Sequence, residues 1–222
     1  MVKGKYTHKH INSSVEISQT DAGIKVLCIG NDAPSSKRLS LIETNDFAGG
    51  QVSGEAVARL LGGKGKVLAL RFGNISRDRV TGLIDALKKF KDIKVVTYEM
   101  PENIVTGDNV DYADKLKNIL KENPDFDLYY GMSPSFAIGV AKYFNQIKLK
   151  KKIVVYGVVP EVVELVKLGI VDTAIGLRQF LWGERLVKYI NDAIKGKTIP
   201  KYDDTGTYEL NKNNYTIFEK NF

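Results

Sequence analysis

The side chains with chemical capacity in this sequence gather just beyond its short apolar runs. Val67–Leu70 is followed by Arg71, Asn74, Ser76, Arg77 and Arg79, and Ile93–Val96 with its extension by Thr106, Asp108 and Asn109. Phe126–Tyr130 is followed by Ser133, and Val171–Ile175 by Arg178 and Gln179. Guanidinium groups offer planar pairs of donors and amides offer a donor beside an acceptor, so the set suits hydrogen bonding to a small polar ligand. The same residue types also cap helices and fill loops. Arg79 stands out because it is a cation in the first turn of an amphipathic stretch, where it opposes the helix dipole. A placement that costs something locally signals either a ligand contact or an ion pair with Asp78 or Asp85.

Groups able to make and break bonds are scarce. His8 and His10 lie in a polar N-terminal stretch with no third ligand nearby, and read as a solvated tail. Cys28 is the single cysteine and sits inside an apolar run, the place of a small buried hydrophobe; alone it makes neither an intrachain disulfide nor a cysteine-rich metal site. The run Gly62-Gly63-Lys64-Gly65-Lys66 precedes a strand instead of following one, so it reads as a turn and not a phosphate cradle. There is no Gly-x-Ser-x-Gly elbow, and the carboxylate pairs Asp108/Asp111 and Asp203/Asp204 have no acid–base setting. A non-enzyme is expected, with no catalytic residue, metal or cofactor.

The elements that must position these residues follow from the apolar pattern. The runs Ile24–Ile29, Val67–Leu70, Ile93–Val96, Phe126–Tyr130, Ile153–Val155 and Val171–Ile175 alternate with stretches of helical period, such as Val80, Leu83, Ile84 and Leu87. Strand, helix, strand, helix with buried strands gives an α/β fold, a doubly wound, mostly parallel sheet. Punctuation agrees: Asp46 precedes a helix ending at Gly62-Gly63, Ser76 caps one starting near Arg77, Ser133-Pro134 opens another, and Gly169 closes the one begun at Pro160. Residues 47 to about 175 hold enough units for one complete sheet, whereas residues 1–46 and 180–200 hold too few strands for a second.

At 222 residues, 43% hydrophobic and 27% charged, the chain can bury a sizeable core, which excludes a disordered or disulfide-stapled protein. Its 33 Lys+Arg against 26 Asp+Glu give +7. That charge is spread over helix faces; its densest run, Lys148 and Lys150–Lys152, reads as a solvated loop entering a strand, and no nucleic-acid-binding motif accompanies it. No stretch approaches the roughly 20 apolar residues of a membrane span.

Several segments together resemble the type I periplasmic sugar-binding proteins, the ribose-binding-protein-like solute receptors of ATP-binding-cassette (ABC) importers. Gly23–Leu27 followed by Asn31–Arg38 looks like a strand of that family and its "DSDAP-x-SKR" segment, and Glu43–Gly50 is similar to its "GTDN-x-x-AG" crossover between lobes. Gly63–Leu70 and Arg79–Leu87 match "gkGkV" and "R-x-x-Gf-x-x-al", while Gly196–Pro200, Asp204–Gly206 and Asn213 resemble the receptor-type ending. The resemblance implies the type I periplasmic binding protein fold, two lobes that clamp a small polar ligand, sugar or sugar-like, by closure. It implies Arg79, Asp32, Asp108, Asn109, Ser133, Arg178 and Gln179 as ligand-binding residues.

Departures from the pattern matter. The first Asp of "DSDAP" is Gly30, the Asp expected after Ile153–Tyr156 is Gly157, and the usual Gln after Val171–Ile175 is Leu177. Losing two carboxylates removes strong hydroxyl acceptors, and Arg178 beside fewer acids suits an anionic or less hydroxylated ligand. The family's opening strands have no counterpart, which implies an N-terminally truncated member with one complete lobe and a partial first lobe. The expected division is residues 1–46 as a remnant of the N-terminal lobe, 47–178 as the C-terminal lobe, 179–200 as a return to the N-terminal lobe, and 201–222 as hinge strand and tail. The implied partners are a small-molecule ligand, the membrane permease of an ABC importer or a sensor partner, and a second copy completing the partial lobe, with no nucleic acid among them. The implied location is extracytoplasmic, periplasmic or as a cell-surface lipoprotein, with the signal missing from this chain. The alternative is a ligand-sensing domain of a transcriptional regulator or membrane sensor with the same fold.

Overall fold

Val67, Leu68, Ala69 and Leu70 have no solvent exposure at all, a pattern that a strand covered on both faces produces. The computed structural model describes residues 23–33, 37–72, 77–100 and 110–219. They divide into two units, one built from the chain through Asn45 with Arg178–Gly206, the other from Asp46–Leu177 with the chain from Thr207 onward. Ser76, Asp108, Asn109, His8 and His10 lie outside the described residues.

The smaller unit carries a three-stranded sheet of β1 (Leu27–Ile29), β2 (Ser40–Glu43) and β8 (Tyr202–Asp204) in the order β1-β2-β8, all parallel. Its core is small: Cys28, Ala33, Leu41 and Ile42 are buried. A short 3-10 turn (Gln179–Leu181) leads into helix α6 (Trp182–Ile194), which packs on β1 and β2. Charge ties the helix down. Asp203 is buried, accepts a hydrogen bond from the Tyr189 hydroxyl at 2.6 Å and pairs with Arg185. Burial pushes the Asp203 carboxyl up, but the bonds from Arg185 and Tyr189 outweigh it and hold the group below the ordinary 3.8.

The larger unit carries a six-stranded sheet in the order β4-β3-β5-β6-β7-β9. Its strands are β3 (Lys64–Phe72), β4 (Asp92–Met100), β5 (Leu128–Gly131), β6 (Lys152–Tyr156), β7 (Thr173–Leu177) and β9 (Thr207–Asn211). The first five are parallel, and β9 returns antiparallel along β7 with Ala174 opposite Leu210. The helices are α1 (Asp46–Leu61), α2 (Arg77–Leu87), α3 (Val110–Glu122), α4 (Pro134–Gln146), α5 (Pro160–Lys167) and, after β9, α7 (Tyr215–Glu219). The turn expected at Gly62–Lys66 is confined to its two first glycines, because Lys64, Gly65 and Lys66 already pair with β4. Of the lysine-rich run, Lys152 opens β6 and pairs with Asp172 at 3.2 Å, while Lys151 lies over the Phe126 ring.

Helices α1 and α2 approach each other closely at glycine positions. A methyl group at Gly82 would sit 2.0 Å from the Phe47 carbonyl oxygen, one at Gly50 2.2 Å from the Arg79 carbonyl oxygen, and one at Gly54 2.7 Å from Ala86 Cβ. Each of those separations is far inside van der Waals contact, so the glycines set the distance between the helices.

Two outcomes are expected. Gly82→Ala forces the helices apart; overpacking of this kind costs about 1–3 kcal/mol, and alanine's better helix propensity, worth at most ~1 kcal/mol, offsets only part of that, so urea denaturation should show a lower midpoint with an unchanged slope. Because the folded-state pKa of Asp203 lies below its unfolded value, its contribution is present above the unfolded pKa and is lost as pH falls through the folded one. Asp203→Asn should therefore be less stable than the parent near neutral pH, with the gap in melting temperature closing as pH falls below the ordinary carboxylate range.

Candidate ligand-binding site

The order β4-β3-β5-β6-β7 reverses direction between β3 and β5, because β4 follows β3 on one side and β5 follows on the other. In an open parallel sheet the two chains leaving such a pair turn to opposite faces, which opens a crevice at their carboxyl ends. The residues that follow β3 and β5 are brought to that point. They are the first turn of α2, with Arg79, and the start of α4, with Met132 and Ser133.

Arg79 is held on three sides. Its Nη1 donates to the Met132 carbonyl oxygen at 3.0 Å, its Nε stands 3.0 Å from Asp46 Oδ2 without the alignment of a hydrogen bond, and its guanidinium carbon lies 4.4 Å from the centre of the Tyr156 ring. The Tyr156 hydroxyl donates to Asp46 Oδ1 at 3.0 Å, across 110 residues of chain. Burial, and then the negative charge of Asp46, push the Tyr156 phenol upward, so it is a donor at any physiological pH. Behind this group Tyr130, fully buried, donates to Ser53 Oγ at 3.3 Å, and Ser53 donates to the Gly49 carbonyl oxygen at 3.0 Å. Desolvation likewise raises the Tyr130 phenol. Gly49 leaves room for this arrangement, since a Cβ there would lie 2.3 Å from the Tyr156 hydroxyl oxygen.

Arg79 therefore pairs with neither Asp78 nor Asp85, the partners its sequence neighbourhood suggests. Asp85 instead accepts from Gln51 at 3.0 Å and Lys88 at 2.8 Å. The cost of a cation in the first turn of α2 is offset by Asp46 at the start of α1, a residue that sequence reading marked only as a helix opening. Tyr156 was also missed, because the last residue of an apolar run reads as core. A Tyr at the carboxyl end of a buried strand is the signal that was available, since its hydroxyl needs a partner.

The remaining expected residues are placed as follows. Ser133 is the half-buried residue before α4 and its side chain makes no capping bond, so its hydroxyl is not consumed by the helix that Pro134 begins. Arg178 and Gln179 are exposed at the start of the 3-10 turn in the smaller unit. Asp32, also in the smaller unit, forms an ion pair with Arg38, whose Nη2 donates to it at 2.8 Å and whose Nη1 reaches the Lys201 carbonyl oxygen at 3.0 Å. The Arg38 hydrogen bond holds the Asp32 carboxyl below the usual 3.8. The two missing carboxylates have a steric basis. Gly157 has φ +102° and a Cβ there would meet the Pro134 ring at 2.7 Å; Gly30 has φ +70° and a Cβ would meet the Trp182 ring at 2.9 Å. An aspartate at either position would be strained in its backbone and crowded by a ring.

Among the described residues, no cluster of three or more His, Cys, Asp or Glu side chains is arranged to hold a metal ion, and no helix is long and apolar enough to cross a membrane. What these residues offer is hydrogen-bonding capacity: the Arg79 guanidinium, the Asp46 carboxylate and a Ser133 hydroxyl that makes no capping bond.

No curated protein matches the chain. The chain is similar to GanP, a glucose-galactose binding protein from Geobacillus stearothermophilus, with 30% identity over 90% of this chain and 72% of that one and a TM-score of 0.79. It is similar to an ABC transporter solute binding protein from Burkholderia graminis in complex with D-arabinose, with 26% identity over 92% of this chain and 72% of that one and a TM-score of 0.77. A sugar-binding protein of a sugar ABC transporter from Bacillus halodurans shares the fold at a TM-score of 0.84 and 21% identity, over 93% of this chain and 75% of that one. Their extra length matches the contrast between a complete six-stranded unit and a three-stranded one. The family model for the periplasmic binding protein domain matches residues 14–198, and the chain belongs to that family, with its type I fold.

Proposed function

We propose that this chain is a solute-binding protein that captures a small sugar or sugar-like molecule for an ABC importer. The observation that carries the reading is Arg79, fixed by Met132, Asp46 and Tyr156 at the switch point of the sheet. It is a cation with unused donors at the place where an open parallel sheet receives ligands. The solved relatives named for glucose and galactose and for D-arabinose support a sugar as the ligand class. Arg79 and Ser133 are the contacts offered by the larger unit; Arg178, Gln179 and Asp32 belong to the smaller one, where Asp32 is paired with Arg38. The partner on this reading is a membrane permease, and the chain acts outside the cytoplasm.

Self-association is part of the proposal. Among the described residues, strand β1 pairs with β2 alone. On α6, Val187, Ile190 and Ile194 keep 60%, 39% and 70% of their exposure and share one side of the helix, which another polypeptide would cover. A second copy completes the smaller unit on this reading.

Thermal melting of the chain with D-glucose, D-galactose and D-arabinose tests the receptor reading. A sugar at 100 times its dissociation constant adds about 2.7 kcal/mol of stability, so at least one melting curve should move upward by several degrees, and no movement with any sugar would count against the reading. Light scattering at micromolar concentration should give twice the chain mass, and Ile194→Asp should restore the monomer; a monomeric parent would refute the dimer.

A further inference from the structure

A site for sugar hydroxyls needs hydrogen-bond acceptors, because a buried donor left without one keeps its full desolvation cost. The two positions where the family pattern places such acceptors are glycines whose side-chain space is filled by the rings of Trp182 and Pro134. Beside Arg79 there is nevertheless a carboxylate, supplied by another element. Asp46 keeps 29% of its side-chain exposure and Arg79 18%, so the pair is open to a ligand at one side.

The pair has bonding capacity left over. A carboxylate has about four acceptor positions; the Tyr156 hydroxyl occupies one and Arg79 Nε faces a second. Of the guanidinium donors, Nη1 is engaged by the Met132 carbonyl oxygen, and Nη2 has no partner among the described residues. The pair is also electrically balanced. An anionic ligand would meet the like charge of Asp46 on reaching Arg79, and such a juxtaposition weakens binding. A neutral ligand meets a donor and an acceptor whose positions Tyr156 and Met132 already fix, so little ordering is left for binding to impose.

We propose that Asp46 is a ligand-binding residue and that with Arg79 it forms a donor–acceptor couple for two neighbouring hydroxyl groups of a neutral sugar. The inference rests on the receptor reading above and narrows its ligand class. It favours a neutral sugar over the anionic or less hydroxylated ligand expected from the missing carboxylates.

Calorimetric titration of the intact chain with D-glucose, D-galactose and D-arabinose, and with D-glucuronate and D-galacturonate, tests it alongside Asp46→Asn, which keeps the side-chain shape and an acceptor for Tyr156. The neutral sugar that binds should be preferred over its uronate. Asp46→Asn should weaken that sugar by ~10–100-fold, the range of a lost hydrogen bond to a charged group, measured at a temperature where the variant, its Arg79 now without a counter-charge, is still folded. The monodeoxy sugar lacking the hydroxyl that Asp46 accepts should bind the parent weakly and lose nothing further in the variant, a pattern that a merely structural Asp46 would not give. Undiminished sugar binding by Asp46→Asn, or a parent that prefers the uronate, overturns the inference while leaving the receptor reading in place. If no sugar binds the parent, the receptor reading falls and this inference with it. Should the variant fail to fold, the uronate and deoxy-sugar comparisons on the parent decide.

Discussion

The close contact between α1 and α2 is the constraint on which the site depends. Gly50, Gly54 and Gly82 let backbone meet backbone, and Gly49 admits the Tyr156 hydroxyl beside them. With helices spaced by ordinary side chains, the start of α1 would stand several ångströms farther from the first turn of α2. Asp46 and Arg79 would then lose their contact, and the cation would remain uncompensated at a helix N-terminus. Burial provides the driving force for this packing, but the absence of side chains at these glycines decides its geometry.

That geometry changes the meaning of Arg79. Alone in sequence it is a positive charge set against a helix dipole. In the folded chain it is one member of a balanced set: Asp46 supplies the counter-charge, the Tyr156 ring covers one face, and the Met132 carbonyl oxygen takes a donor. Each neighbour comes from a different element, so the set forms only when the sheet and both helices are in place. A group held from several sides loses little entropy when a ligand arrives, which is how a stiff scaffold favours binding.

The two units are stabilised differently. The larger has a sheet buried on both faces, with Tyr129, Tyr130, Tyr156, Phe126 and Phe144 among its fully enclosed side chains. The smaller has few buried apolar residues and leans on polar ties: Asp203 with Arg185 and Tyr189, Trp182 Nε1 donating to Thr205 Oγ1 at 2.9 Å, and Lys25 Nζ donating to the Ala193 carbonyl oxygen at 2.5 Å. Such ties are directional and depend on pH and salt in a way that apolar burial does not.

The sequence by itself determined the class of fold and the place to look for a site. Runs such as Val67–Leu70 and Ile153–Val155 report strands covered on both faces, and Ser133-Pro134 and Gly169 mark helix ends, because burial period and backbone preference act over a few residues. Tertiary structure alone decided the rest. Strand β9 joins the larger sheet through its pairing with β7, not through any strong apolar pattern of its own. Asp46 became the partner of Arg79 and Tyr156, and the spaces at Gly30 and Gly157 were filled by Trp182 and Pro134. Local pattern tells which face of an element is buried; which charge meets which is set by the crossing distance between elements remote in the chain.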